Sequence, residues 1–438
     1  MMSKHKESIQ LCFLRRYYVP ILTIVVVIGQ QLYFSTGFII QTINPKVELN
    51  GRYSIFLLAL FALAFLLFFK RLLLERCSLN PSAWAMLTLS GLITVLCLTH
   101  RNEYLNKWDF LIYYIIICLP AFVIGITLDV DKGYKILADM VKMIDALMLI
   151  MTAGVFAYEY INYSLGFTNR ALGGVTYQLV SYIGALGFGM NCAMLSVKDD
   201  LRFPMFRGYI YRNIQVALLF AQIICVILSG GRGCFVLLCV YGISSCVAFA
   251  DRTRRNIVPL AILLLTVMLS IVLLASNTTD ISNIIKTRGF ERIFTYHDNR
   301  SEVFDSALRI IVNHPLIGCG VGGYISELGI YPHNIILEIL LNWGFLGLFI
   351  ALIIVLFTVA RLFRLFKARD GLVPLVFIGI FPVVFLMLSS SFMANATLWF
   401  YLGLAFSPLA LDQCNGDNTV NLKIDKTSRP FASYRSKI

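Results

Sequence analysis

Charge is what this sequence has least of. Asp, Glu, Lys and Arg make up 14% of its 438 residues, and 58% are hydrophobic; a soluble domain is about one quarter charged. This excludes a water-soluble globular fold and leaves an integral membrane protein. Other absences narrow the chemistry. No Cys/His spacing has the form of a zinc site, and neither a serine nucleophile elbow nor a protease zinc motif is present. There is no internal repeat and no second soluble domain. Eleven cysteines occur, but nearly all fall in apolar runs or in segments expected to be cytoplasmic, Cys97, Cys118, Cys192, Cys225, Cys234, Cys239 and Cys246 among them. Cys319 alone is expected to face outward, where a single thiol makes no internal bridge, so no disulfide is expected.

What is there is apolar sequence of membrane length. Twelve runs, at about 17–34, 53–69, 83–99, 110–128, 140–158, 175–195, 213–229, 233–250, 256–276, 335–360, 373–391 and 395–411, predict an all-α polytopic membrane protein, because outside closed barrels only helices satisfy their backbone at that depth. The first run lacks a cleavage-site pattern and is expected to be retained. A net charge of +13 would suit nucleic acid if it were clustered. With a cytoplasmic amino terminus, however, most of the 37 Lys and Arg fall on inner segments, the positive-inside bias of a membrane protein. The basic excess is therefore a topology signal. It predicts both termini in the cytoplasm and no nucleic-acid partner. One bundle over residues 1–411 is expected, with an outer loop at 277–334 between the ninth and tenth spans and a cytoplasmic tail at 412–438.

The outer loop and its flanks carry the chemistry. Residues 300–313 place Val303, Phe304, Ala307, Leu308 and Ile311 on one helical face, with Asn299 as N-cap and Glu302 three positions on. Arg300 then stands in the first turn, beside free N–H groups and the positive end of the helix dipole, a place that attracts phosphate. Asp305 and Arg309, four apart, read as a helix-face pair. A stop at His314-Pro315 follows, then a glycine run (Gly318, Gly320, Gly322, Gly323) read as a flexible turn rather than a dinucleotide fingerprint, since no strand precedes it. Next come Tyr331-Pro332-His333-Asn334 and a return to apolar sequence. Between the seventh and eighth spans, Ser229-Gly230-Gly231-Arg232-Gly233 is so short that Arg232 stays at the outer mouth of the bundle, where glycines allow close approach of a phosphate. Arg288 and Arg292 add to the outer cation cluster, and Arg170 is the only basic residue of its own outer connector. A guanidinium fork holds phosphate bidentately and keeps its charge. Asp145, just inside the fifth span, is expected to reach the interface or cap a helix rather than serve a site.

The turn at 229–233, Arg300 leading a helix into His314-Pro315-Leu316-Ile317-Gly318-Cys319-Gly320-Val321-Gly322, then His333-Asn334 with Leu337-Glu338 and Gly344-Phe345-Leu346-Gly347, together resemble the O-antigen polymerase and O-antigen ligase superfamily over about residues 216–350. The resemblance implies a membrane glycosyltransferase architecture of the GT-C-like kind in the bacterial inner membrane, its site facing the periplasm. It implies transfer, without metal or cofactor, of a glycan from undecaprenyl diphosphate to an acceptor hydroxyl. By the motif, His333, Arg232 and Arg300 are the implied catalytic residues, with His333 as base and the two arginines on the diphosphate. Glu338 matches as a substrate-side residue that orients the histidine or a helix neighbour, and Arg170, Arg288 and Arg292 are further substrate-binding candidates outside the aligned motif. Implied partners are an undecaprenyl-diphosphate-linked oligosaccharide and membrane lipids, with room for a chain-length regulator protein. The compact outer loop and the His-Asn-x-x-Leu-Glu pattern look more like the polymerases than the ligases. A secondary transporter, the other class with twelve spans, suits the sequence less: the connector at 198–212 is short, and the charges lie at the outer surface rather than near the midplane.

Overall fold

The computed structural model describes residues 2–44, 47, 55, 56, 58, 59, 62, 63, 65, 66, 81–99, 114–164, 177–229, 231–249, 300–367 and 370–410. Among the described residues the chain is helix and turn only. Its helices are α1 (Met2–Ile43), α2 (Pro81–Thr99), α3 (Leu119–Ile126), α4 (Val130–Ser164), α5 (Tyr177–Leu195), α6 (Tyr209–Ser229) and α7 (Arg232–Phe249), then α8 (Arg300–Asn313), the single turn α9 (Ile325–Leu328), α10 (Ile335–Lys367), α11 (Val373–Leu388) and α12 (Ala396–Ala405).

Among the described residues, five helices are long and apolar enough to cross a membrane: Tyr17–Ile43, Lys132–Ile161, Gln178–Leu195, Tyr209–Ser229 and Ile335–Lys367. Five of the other expected runs carry shorter apolar helical stretches among the described residues, Pro81–Ile93, Tyr114–Ile126, Gly233–Ser245, Val373–Leu388 and Ala396–Ala405. The expected run at 256–276 lies outside the described residues, and that at 53–69 does so for the most part. Two of these runs are interrupted locally. The run at 110–128 is split by a π-helical turn (Tyr114–Cys118) with Pro120 at the start of α3, and α11 carries Pro382 and stops at Ser389.

Small residues set the tightest crossings. A Cβ on Gly125 of α3 would strike the Phe400 carbonyl of α12, and one on Gly403 would strike that of Phe122. Backbones approach this closely only where neither helix carries a side chain at the crossing. A Cβ on Gly154 of α4 would likewise meet the backbone of Ser35 on α1. Ile28 interrupts α1 with non-helical dihedrals, and next to the kink the hydroxyl of Thr397 donates to the Val27 carbonyl at 2.7 Å, a side-chain contact into the helix ladder of the kind that accompanies kinks.

Charge patterns on the connectors resolve differently from expectation. The charged residues at 130–142 form the start of α4, capped by Asp129, whose Oδ1 accepts from the Lys132 amide at 2.8 Å. Asp145 neither reaches the interface nor caps a helix. It is fully buried, accepting from Gln215 Nε2 at 3.0 Å and Tyr211 Oη at 3.4 Å, with the Arg202 guanidinium 3.9 Å away. Arg202 enters from the connector at 198–212, donates to Gln215 Oε1 at 2.9 Å, and has its pKa lowered by burial against the opposing pull of Asp145. A buried cation stripped of its partner is costly, about 3–5 kcal/mol. Asp145→Ala should therefore lower the thermal midpoint in detergent sharply, while Asp145→Leu with Arg202→Met, which removes both charges at similar volume, should recover most of the loss.

Candidate active site

The outer-loop region is built on α10 and on what wraps around it. Amphipathic α8 begins at Arg300 as expected and docks on α10 through Ala307, Ile310 and Ile311 against Leu340 and Leu341, with Tyr324, Ile325 and the partly buried Tyr331 and Leu337 completing the cluster. The buried stripe is shifted from the expected one. Ile310 joins it, while Leu308 is half exposed, because the covered face of α8 is the one turned to α10 and to the Tyr324-Ile325 turn, narrower than that of a helix in a core. Asp305 and Arg309 are both exposed and form no ion pair, as exposed pairs gain little from closing.

The glycine run is not a flexible turn. Gly344 breaks α10 with φ 62° and ψ −161°, and residues 315–320 bind the groups freed at the break. Cys319 and Gly320 amides donate to the carbonyls of Leu341 and Asn342 at 2.8 and 3.1 Å, while Phe345 and Leu346 amides donate to those of Pro315 and Leu316 at 2.8 and 3.1 Å. The Asn342 side chain adds a bridge, accepting from the Gly322 amide at 2.7 Å and donating to the Glu338 carbonyl at 2.8 Å. Burial raises the pKa of the Cys319 thiol, which donates to the Leu341 carbonyl.

His333 sits at the far side of this assembly in the left-handed region, φ 55°, uncommon for a residue with a Cβ and a mark of functional positions. It does not cap α10. Asn334 does, its Oδ1 accepting from the amides of Ile336 and Leu337 at 2.9 and 3.2 Å. The ring of His333 lies 4.2 Å from that of Tyr331. Both neighbours are fastened to the end of α11: Tyr331 Oη donates to the Ser389 carbonyl at 3.3 Å and Asn334 Nδ2 to the Met387 carbonyl at 3.4 Å, carbonyls near a helix terminus that lacks onward partners.

Glu338, one helical turn after Asn334, is 2% exposed. Its oxygens are taken by protein donors: the Ser391 hydroxyl, the Phe392 amide at 3.3 Å and Tyr324 Oη at 3.5 Å. Burial first, then the Glu338 charge, pushes the Tyr324 pKa well above its ordinary value, so the phenol keeps the proton it donates. Glu338 thus ties α10 to the break between α11 and α12 and to the glycine segment.

Arg232 is the first residue of α7. Its turn packs against α5 and the same end of α11. The Gly231 amide donates to Ser181 Oγ at 3.1 Å, and a Cβ on Gly233 would collide with Tyr182 Oη and come within 3.3 Å of Leu388 Cβ. Residues 387–389 therefore touch both the Arg232 turn and the His333 tetrad, and α8, led by Arg300, shares an apolar cluster with Tyr331. Arg170, Arg288 and Arg292 lie outside the described residues. Reading the sequence alone missed Ser391 and Ser181, small polar residues inside apolar runs whose only signal is that membrane helices seldom keep such groups unpaired, and Tyr324, which lies outside those runs.

Among curated proteins none matches the chain. Residues 217–352, which hold both the Arg232 turn and the His333 tetrad, match the family model described as O-antigen ligase, in support of the resemblance to the O-antigen polymerase and ligase superfamily.

Proposed function

We propose that this protein is an O-antigen polymerase, joining undecaprenyl-diphosphate-linked repeat units on the periplasmic side of the inner membrane, with both termini in the cytoplasm. One observation carries the reading: a single three-residue stretch at the end of α11 is in contact with the turn that bears Arg232 and fastened to the tetrad that bears His333. The segments that bear a cation and an imidazole, about a hundred positions apart in sequence, thus share one stretch of helix end, an arrangement that suits a reaction with two charge demands.

The donor's anomeric carbon loses a diphosphate as the acceptor hydroxyl forms the new glycosidic bond. His333 takes the hydroxyl proton, a task fitted to a group whose ordinary pKa is about 6.5. Arg232 and Arg300, each the first residue of its helix, stabilise the charge that develops on the departing diphosphate, together with the free amides and dipole of the helix start. Arg170, Arg288 and Arg292 contribute to holding the carrier's phosphates. Glu338, its carboxylate engaged by three protein donors, acts on substrate only by fixing the tetrad against the end of α11. The transfer needs no metal, since arginine supplies the positive charge.

The ligase reading, with the lipid A core as acceptor, shares donor and residues. A lipopolysaccharide gel from a strain lacking the protein separates the two. Loss of a polymerase leaves core bearing one repeat unit; loss of a ligase leaves bare core, with polymer stranded on the carrier. The first pattern is expected.

A further inference from the structure

Helices α4 and α6 carry polar residues at one common spacing. Asp145, Thr152 and Glu159 stand seven apart on α4, and Gln215, Gln222 and Ser229 stand seven apart on α6. Each faces its counterpart: Gln215 Nε2 donates to Asp145 Oδ1 at 3.0 Å, Gln222 Nε2 to Thr152 Oγ1 at 2.9 Å and Ser229 Oγ to Glu159 Oε1 at 2.6 Å. Seven residues are close to two helical turns, so the three rungs follow one seam over about 21 Å of helix. Asn191 of α5 braces the lower rungs, donating to Gln222 Oε1 at 3.1 Å and the Gln215 carbonyl at 2.9 Å. In an apolar bundle each of these groups is costly unless paired. Sliding α6 by one residue along α4 would unpair all three rungs together, so the ladder fixes the axial position of α6.

The end of α6 matters because two residues separate it from α7. Ser229, the donor of the last rung, is the final residue of α6, and Arg232 is the first of α7. Between them, Gly231 is held by Ser181, and a Cβ there would come within 2.8 Å of the Ser181 Cβ. The turn is therefore gripped on both sides, by a half-buried carboxylate on α4 and a buried hydroxyl on α5. Hydrogen bonding alone would be served by a neutral acceptor of lower desolvation cost, such as the Thr152 hydroxyl of the middle rung. A fixed carboxylate oxygen accepts more strongly than a hydroxyl and cannot rotate away as a donor.

We propose that Glu159 is a positioning residue for Arg232: through Ser229, and with Ser181 at Gly231, it sets where α7 begins relative to residues 387–389 and hence to His333. This rests on the function proposed above. Small displacements of a charge-stabilising group act on the transition state far more than on ground-state binding, and a shift of about 1 Å can cost about a hundredfold in rate.

The test uses the full-length protein in lipid nanodiscs with its undecaprenyl-diphosphate-linked repeat unit, separating kcat from KM. Glu159→Ala should lower kcat by at least about tenfold with KM for the lipid-linked donor changed by less than about threefold. Glu159→Gln, whose amide oxygen still accepts from Ser229, should restore most of kcat, and Ser229→Ala should behave like Glu159→Ala. Thr152→Val with Gln222→Leu, an apolar replacement of the middle rung, should change stability without that kcat loss. Wild-type kcat in Glu159→Ala, beside an inactive Arg232→Ala, overturns this inference and leaves the function standing; full activity in Arg232→Ala overturns the function itself. Equal loss in Glu159→Gln and Glu159→Ala overturns positioning through the Ser229 hydrogen bond. If Glu159→Ala does not accumulate, Ser229→Ala and Ser181→Ala decide, and wild-type kcat in both overturns the inference.

Discussion

Cells whose only copy carries His333→Ala, Arg232→Ala or Arg300→Ala are expected to make no polysaccharide ladder while keeping normal levels of inserted protein. In the proposed mechanism each change removes a group needed as charge moves, the acceptor of the hydroxyl proton or a cation for the leaving diphosphate, and loss of one such group typically costs about 10²–10⁴ in rate. His333 needs a second variant, because its backbone has φ 55°, a left-handed conformation that alanine adopts less readily than Asn. Asn tolerates that conformation but offers no base near neutral pH. His333→Asn should therefore fold as the parent does and still fail to extend chains. Normal ladders in all three alanine variants, read on a lipopolysaccharide gel beside an immunoblot, would end the enzymatic assignment.

Gly344→Ala is expected to destabilise the protein more than any other glycine-to-alanine change in the outer-loop region. Gly344 has φ 62° and ψ −161°, a conformation essentially confined to glycine and worth about 1–3 kcal/mol in strain for other residues. The new Cβ would also run into the Leu316 backbone, and relief would break the four backbone bonds between residues 315–320 and the interrupted helix. Gly318→Ala should be nearly as severe, since φ is 66° and a Cβ would lie 2.6 Å from the Leu341 carbonyl oxygen and the Trp343 nitrogen. Gly329 supplies the control. Its φ is 72°, but open space surrounds it, so Gly329→Ala should cost only the conformational preference, about 1–2 kcal/mol. Thermal midpoints in detergent, with protein level in membranes, read the order. Equal midpoints for Gly344→Ala and Gly329→Ala would show that the glycine segment is not fastened to α10.

Why α10 is broken at all follows from the same bonds. An interrupted helix exposes carbonyls and amides that an apolar setting cannot solvate, and the segment after α8 satisfies them with its own backbone. The interruption thereby anchors the glycine run, and α8 before it, to α10. Asn342 and Glu338 extend that anchorage to Gly322 and to the break between α11 and α12.

Periodicity and composition alone determined that the chain is helical and of membrane character and that α8 is amphipathic and begins at Arg300, while the motif resemblance placed the Arg232 turn and the His333 tetrad within one stretch that a single family model matches. These properties are written in local spacing, which a helix of fixed pitch converts directly into a face or an end. Only the tertiary structure decided that Asp145 pairs with Arg202 in the interior, that Asn334 rather than His333 caps α10, that the glycine run is pinned, and that residues 387–389 join two motifs a hundred positions apart. The physical reason is that a polar group in an apolar bundle is stable only with a partner, and that partner stands on another helix. For Asp145 and Glu159 it lies 70 residues away, a separation that no local pattern encodes.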